Sequence, residues 1–415
     1  MIRLASQTGW EETTLASVIE LVGGGTPRTT VSEYWDGKIP WLSVVDFNED
    51  RRWVDRTEKS ITELGLKNSS TKLLDKGDLI LSARGTVGAL AQLKRPMAFN
   101  QSCYGIKATE KSDINFLYYL LKFSLRKIEK NVHGSVFDTI TRSTFNQIDI
   151  SLPPLNEQGS IVAVLSSLDD KIELLRKQNQ TLEALAQGLF KEWFVDFNFP
   201  NEQGKPYKKS GGKIVESETG EIPEQWQIKS LSDIADFLNG IALQKFPPEN
   251  EKEYLPVIKI RELKAGISEQ TDKASINIDK KYIIKNGDIL FSWSGSLELV
   301  VWCNGKGALN QHLFKVTSEN YPRWFFFYWI LHHLQGFRQI ASAKATTMGH
   351  IQRHHLSDAL VLVPDANALQ KLNDIMSPIF QKTIYNNFQI QTLSTLRDAL
   401  LPRLMRGEIQ VKNII

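Results

Sequence analysis

Residues 21–30 read LVGGGTPRTT, and three successive glycines followed by threonines and an arginine are the residue types of a phosphate cradle. A P-loop requires GxxxxGK[ST] between a strand and a helix, and a dinucleotide fold requires GxGxxG in that place. The run has neither the lysine nor the spacing, and Pro27 disfavours helical backbone at Thr26. The glycines therefore predict a tight turn that uses glycine's access to positive φ. Methyl transfer to a base amine would call for an [ND]PP[FYW] motif beside a glycine-rich cofactor loop. FNFPN at 197–201 has the asparagines and aromatics without that motif. Cys103 and Cys303 lie too far apart for a CxxC redox or metal motif and read as small buried side chains. No catalytic constellation emerges, so the chain is expected to be no enzyme and to hold no cofactor or metal.

The bounds set by composition are ordinary. The 415 residues allow two or three domains with full cores. Apolar content of 41% and charged content of 23% fit a globular protein, and a net charge of +3 permits a polyanionic partner without requiring one. The N-terminal MIRLASQTGWEE has no long apolar core, and WFFFYWIL at 324–331 is too short to cross a bilayer. A cytoplasmic protein without membrane attachment is expected.

The elements that would position any site are written twice. GWEETTLASVIELV from Gly9 recurs as QWQIKSLSDIADFL from Gln225, setting Trp10 over Trp226 and Leu15 over Leu231. LLDKGDLILSARGTVGAL recurs as IIKNGDILFSWSGSLELV, with Gly77-Asp78 over Gly287-Asp288, Ser82 over Ser292 and Gly85 over Gly295. AFNQ at 98–101 matches ALNQ at 308–311, and NFLYYLL matches FFFYWIL with Tyr118 over Tyr328. The offset drifts only from 216 to 210, the signature of a tandem duplication. Each copy begins with short strand-like runs after Gly-Asp turns and continues into an aromatic helix.

A long helical pattern closes each copy. Ile161, Leu165, Leu168, Ile172, Leu175, Leu182, Ala186, Leu189 and Trp193 follow steps of four and three, with Asn179 as the polar seam position of a coiled coil. About 38 such residues span about 57 Å. In the second copy Leu372, Met376, Ile379, Ile390, Leu393, Leu400 and Leu404 hold the register, with Thr383, Asn386 and Arg397 at seam positions. Pro378 within it predicts a kink or a restart. Glu173, Arg176, Lys177 and Glu183 fall off the seam and read as solvated. The polar stretch between the copies predicts an exposed connector with a small hairpin around SGGK. Two similar domains joined by two similar helices suggest a pseudo-twofold axis, which duplex DNA shares, so two modules on a rigid spacer would read half-sites roughly one helical turn, about 34–36 Å, apart. A coiled-coil protein-interaction scaffold without DNA reading has the same spacing.

GGGTPRTTVSEYWDGKIPW, LLDKGDLILSARGTVG, GSVFDTITRSTFNQIDISLPPLNEQ, LSSLDDKIELLRKQNQTLEALAQGLFKEWFVDF and LRDALLPRLMRGEI together resemble the specificity (S) subunit of type I restriction-modification systems, the HsdS family, over nearly the entire chain. The resemblance implies an α+β fold of two mixed α/β target-recognition domains joined by two long helices in an antiparallel coiled coil. The boundaries read as 1–152 and 223–364 for the recognition domains and 153–197 and 365–407 for the helices. The connector is 198–222 and the tail 408–415. It further implies a non-catalytic subunit that reads a bipartite target in double-stranded DNA, the helices acting as a ruler. Two modification (methyltransferase) subunits and the restriction/motor subunits would be its partners, and S-adenosylmethionine, ATP and Mg would belong to them alone. A related modification-only or type II-like system is the alternative. The second copy departs from the family pattern, since FLNGIALQKF lacks the GGTP loop and VPDANALQ replaces LPPLNEQ.

With that expectation, Thr26, Arg28 and Thr29 on the glycine loop are candidate contacts to phosphates or base edges. Arg84, set beside a turn and facing Trp293 of the other copy, is another. Arg142 and Arg353 occupy the same place in the two copies and could grip phosphate, or guanine bidentately; a salt bridge orienting each domain is the competing role. Lys94, Arg95, Lys259 and Arg261 are basic candidates. His350, His354 and His355 could place ligands at i, i+4, but they align with Thr139, Ser143 and Thr144, so His350 is read as facing DNA and no zinc is expected. On the helices, Ile161, Leu165, Leu168, Ile172, Leu175, Asn179, Leu182, Leu189, Trp193, Leu393, Leu400 and Leu404 form the candidate coiled-coil and partner surface.

Overall fold

The structure, a computed structural model, describes residues 9–48, 51–131, 139–218, 220–343 and 349–411. The first eight residues and the last four of the tail lie outside this description, as do the side chains of 126–131. The chain divides into two compact units, one made of Met1–Lys171 with Leu393–Ile415 and the other of Ile172–Thr392.

Unit 1 is built on a five-stranded sheet of β1 (Ile19–Gly23), β2 (Trp53–Val54), β3 (Leu79–Ser82), β4 (Leu90–Leu93) and β5 (Cys103–Ala108), in the order β1-β5-β3-β4-β2. All neighbours are antiparallel except β2, which pairs parallel with β4. A second sheet joins Lys59–Ile61, Trp35–Leu42, Met97–Phe99 and Leu73–Leu74. Helix α1 (Ile114–Asn131) covers the larger sheet, and Phe116 to Leu121 are all buried. This helix belongs inside a core over its first turns, apolar on every side from Phe116 to Leu121, while charged residues gather in its second half. It packs there with Ile161 and Leu165 from the start of α2 (Leu155–Phe194) and with Leu401 and Leu404.

Unit 2 repeats the plan with β6 (Asp236–Asn239), β7 (Ile289–Ser292), β8 (Leu299–Val301) and β9 (Leu313–Thr317), in the order β6-β9-β7-β8. Its second sheet, Lys273–Ala274, Leu255–Ile258, Gly307–Leu309 and Ile283–Ile284, keeps the same strand order and the same single parallel pair. Helix α3 (Arg323–Ala343) buries Trp324, Phe325, Phe326, Tyr328, Trp329 and Ile330. They meet Ala186, Phe190, Trp193 and Phe194 of α2, and Leu372, Met376, Phe380 and Ile384 of α4 (Ala366–Met405).

The two copies share turns down to single hydrogen bonds. Gly77 and Gly287 have φ of 96° and 91°, where only glycine is unstrained. The following aspartates cap the turn, Asp78 accepting from Asp75 N (2.8 Å) and Asp288 from Lys285 N (2.9 Å). Ser82 and Ser292 each donate to a carbonyl four residues on and each accept a backbone N–H, from Ala89 and from Glu298.

The long helices pair antiparallel. In unit 1, Arg397 Nη1 donates to Asp169 Oδ1 (2.8 Å), while the earlier Ile161 and Leu165 share a core with the later Leu401 and Leu404. In unit 2, Asn179 Nδ2 donates to Asn387 Oδ1 (2.7 Å) and Asn386 Nδ2 to Asn179 Oδ1 (2.9 Å). There the later Ala186 and Phe190 share a core with the earlier Phe380 and Met376. Ile161, Leu165, Ile172, Leu175, Asn179, Trp193 and Leu404 are buried, and Leu168, Leu182, Leu189, Leu393 and Leu400 are half-buried. The buried face includes Asp169 and Phe190 besides the seam, because each helix packs on the mixed α/β domains as well as on its partner.

Several sequence expectations are corrected. The restart expected at Pro378 does not occur, because α4 is a single helix from Ala366 to Met405. Packing of Met376, Phe380 and Ile384 in the unit 2 core outweighs one absent backbone bond. The hairpin falls at Ile214–Ser217 and Gly220–Pro223, beyond SGGK. The connector is no free linker either. Phe199 stacks on Tyr207 (4.6 Å between centroids) and packs on Trp226 (4.8 Å). Glu173 and Arg176 form a half-buried ion pair (2.8 Å) instead of two solvated charges.

Candidate functional site

The glycine loop is where sequence and structure part most clearly. Gly23, Gly24 and Gly25 are absent from the positive-φ residues, so no left-handed turn requires them. Close approach does: a Cβ on Gly24 would stand 2.1 Å from Asn100 O, and one on Gly25 2.4 Å from Thr71 N. Gly25 N donates to Phe99 O (2.9 Å), and Trp41 Nε1 closes over the loop onto Gly25 O (3.0 Å). The second copy keeps this contact with one glycine. A Cβ on Gly240 would lie 2.2 Å from Asn310 O, and Ile241 N donates to Leu309 O (3.1 Å).

This docking brings the loop to the end of β3 and β5, forming a polar rim. Thr26 Oγ1 donates to Gln101 Oε1, and Ala83 N to Ser102 O (2.8 Å). Ile140 N donates to Ala83 O (2.9 Å), and Arg84 bridges Thr139. Arg142 reaches back to β1, its Nη2 donating to Leu21 O (3.2 Å). Arg28, Thr29 and Arg84 are exposed, and no described carboxylate pairs with either arginine. An arginine left unpaired on a polar rim is available to an anion.

The rim of unit 2 carries the same backbone with different side chains. Ile351 N donates to Trp293 O (2.9 Å), Gly295 N to Gly349 O (2.8 Å), and Ser294 bridges His350. These bonds correct the sequence pairing: the counterpart of Arg84 is Ser294, and Trp293 stands over Ala83. Trp293 Nε1 donates to Asn239 Oδ1 (2.9 Å) and Gln311 O (3.2 Å), and Ser294 Oγ lies 3.1 Å from His312 Nδ1. His350 packs edge-on against Trp293 (6.3 Å). Asn239, Gln311, His312 and, in unit 1, Gln101 escaped the sequence reading. The matched AFNQ and ALNQ were a signal for two of them, since both glutamines sit on the rim.

The remaining candidates are spread out. Lys94 pairs with Asp55 (3.9 Å), and with Arg95 it lies at the end of β4 away from Arg84. Lys259 binds Asp272 beside the rim residue Asn310, whose N–H reaches Ile258 O (3.3 Å). Arg261 is held by Glu262 (2.8 Å) and Gln270 O (2.8 Å). The salt bridge considered for Arg142 and Arg353 is found for neither among the described residues; Arg353 is exposed at the start of the helix Arg353–Asp358. Burial pushes the Cys103 and Cys303 thiols up to about 12, which leaves both protonated and poorly nucleophilic at neutral pH.

Comparison with known proteins agrees with this duplicated architecture. The family model described as "Type I restriction modification DNA specificity domain" matches twice, at residues 7–184 and 223–394. The chain is 30% identical to the type I restriction enzyme MjaIX specificity subunit of Methanocaldococcus jannaschii over 98% of its own length and 94% of that protein. It is 26% identical to the HindI specificity subunit of Haemophilus influenzae over 66% and 72% of the two chains. The crystal structure of a type I restriction-modification S subunit from M. genitalium superposes over 97% of both chains with a TM-score of 0.55 at 16% identity, a likeness of fold. With two recognition domains, an antiparallel helix pair and a family match in each half, the chain belongs to the specificity subunits of type I restriction-modification systems.

Proposed function

We propose that this subunit reads a split sequence in double-stranded DNA without catalysing any step itself. Each recognition domain takes one half-site through the rim at the end of its central sheet. The duplicated rim supports this reading most directly, because one backbone frame carries Thr26, Gln101, Arg84 and Arg142 in one copy and Asn239, Trp293, Ser294, His312 and His350 in the other. Identical frames with different polar side chains are what two different half-sites would require. Two modification subunits supply S-adenosylmethionine and methylate adenine, restriction/motor subunits supply ATP and Mg chemistry, and the complex works in the cytoplasm.

Arg84 tests the reading. After mapping methylated adenines to find the target, binding of the reconstituted complex is measured across salt concentrations. Arg84→Ala should weaken binding and, if the arginine neutralises one phosphate, reduce the log–log salt slope by about 1. A complex that binds every sequence equally at physiological salt would rule out sequence reading. An Arg84→Ala complex with unchanged affinity and slope would remove Arg84 from the interface.

A further inference from the structure

The two central sheets differ at one edge. In unit 1, β4 is covered by β2, which pairs Trp53 with Gln92 and Val54 with Leu93. Gln92 N donates to Arg52 O (2.7 Å) and Lys94 N to Val54 O (3.0 Å). In unit 2, among the described residues, the sheet stops at β8, which pairs with β7 alone. Equivalent bonds set the correspondence: Leu93 N reaches Asp78 O (2.9 Å) as Trp302 N reaches Asp288 O (2.8 Å). Val301 and Cys303 therefore stand where Gln92 and Lys94 stand, and among the described residues nothing accepts from their N–H groups.

The space beside that edge is open. A cavity of about 470 Å³ runs along Leu299–Asn304, walled by Phe327 and Tyr328 of α3, with Glu183 and Asn387 contributed by the long helices. In unit 1 Arg52 occupies such a crevice. It is buried, donating to Gln92 Oε1 (2.9 Å), Asn115 Oδ1 (2.7 Å) and the Tyr119 hydroxyl (3.1 Å), with its guanidinium over Trp53 (4.8 Å). Tyr119 in turn donates to Asp169 (2.7 Å), which Arg397 neutralises. In unit 2 the acid near Tyr328 is Glu183, and no described cation pairs with it. Although much of this residue is open to solvent, desolvation of its carboxyl raises its pKa; burial of Tyr328, and after it the Glu183 charge, raises that of the tyrosine.

We propose that β8 and this cavity form a docking groove for an extended segment of a partner protein, added parallel to β8 as a fifth strand and placing an arginine against Glu183. Backbone pairing would satisfy the free edge, and a charge-assisted pair would select the basic residue. The chain's own Arg52–Trp53–Val54 is the template for the occupant. The inference does not depend on which DNA the subunit reads.

The test uses the full chain and a capped synthetic peptide, RRWVD, copied from residues 51–55. Amide hydrogen exchange should slow across 299–304 on saturable binding of the peptide. Val301→Pro removes one edge N–H at a position where an edge strand tolerates proline, and Glu183→Gln removes the charge while keeping the side chain's shape. Each should weaken binding about tenfold, as loss of one charge-assisted or backbone hydrogen bond does. A peptide with its second arginine changed to alanine should weaken to match Glu183→Gln. Absence of protection at 299–304 with millimolar peptide would overturn the proposal. Protection confined to β4, or unchanged in both variants, would overturn it as well.

Discussion

At the scale of single residues, glycine positions and buried polar atoms govern the outcome. Gly24 matters because a carbonyl lies where a Cβ would go, not because of its φ. Gly24→Ala should therefore destabilise unit 1 by about 1–3 kcal/mol, the usual range for overpacking a tight site, whereas Gly23→Ala, whose Cβ would meet nothing within 4 Å, should cost little. Denaturant titration of the two variants checks this; equal midpoints would contradict it. The indole N–H groups of the repeated tryptophans follow the same logic. Trp10 Nε1 donates to Glu157 (3.0 Å), while Trp226 Nε1, in its buried site, has no hydrogen-bond partner among the described residues.

At the scale of elements, polar groups inside the helix pair specify its register. Asp169 and Arg397 are both nearly fully buried, and Asp169 also accepts from Tyr119. Removing one member of a buried pair leaves an uncompensated charge, at a cost of about 3–5 kcal/mol, whereas replacing both by apolar residues is often neutral or better. Because Arg397 also pairs with Asp398 (2.9 Å) while Arg397 is the one cation on Asp169 among the described residues, Arg397→Leu alone should lower the stability of unit 1 by that amount, and Arg397→Leu with Asp169→Leu should recover most of it. Thermal unfolding of the three proteins makes the comparison, and a double variant as unstable as the single one would refute the interpretation. The seam of leucines and isoleucines was legible in the sequence because its 3.5-residue period is local. Arg52, Tyr119, Asp169 and Arg397 were not legible as a network, since polar residues far apart in the chain leave no periodic trace.

At the scale of the whole molecule, each compact unit combines one recognition domain with parts of both helices. Titration should separate the units. His332 and His333 lie on α3 of unit 2, and no described residue of unit 1 is a histidine. Desolvation lowers both pKa values; for His333 it outweighs the opposing hydrogen bond to Leu360 O, and the charge of His332 adds to the lowering. In the unfolded chain a histidine protonates near pH 6.5. Folded-state pKa values below that leave the neutral rings' contribution intact above about pH 6.5, and it is lost as pH falls from there through the folded values. Hydrogen exchange of α3 amides should accelerate between pH 7.5 and 5.5 relative to α1 once intrinsic rates are corrected. His332→Gln with His333→Gln should flatten that difference; a difference unaffected by the double variant would sink the assignment.

The sequence by itself determined that the chain is a duplicated pair of mixed domains with two long helices, because repeat offset and heptad spacing are written residue by residue. It also placed Arg84 and Arg142 among the candidate contacts, since each adjoins a turn or segment present in both copies. Only the tertiary structure decided that the glycine loop is a close backbone contact, that Gln101, Asn239 and His312 complete the rims, and that β8 lacks the strand covering β4. Each of those depends on which distant segments pair and how tightly they approach. Pairing and approach are set by packing of the whole core, and no local stretch of sequence encodes them.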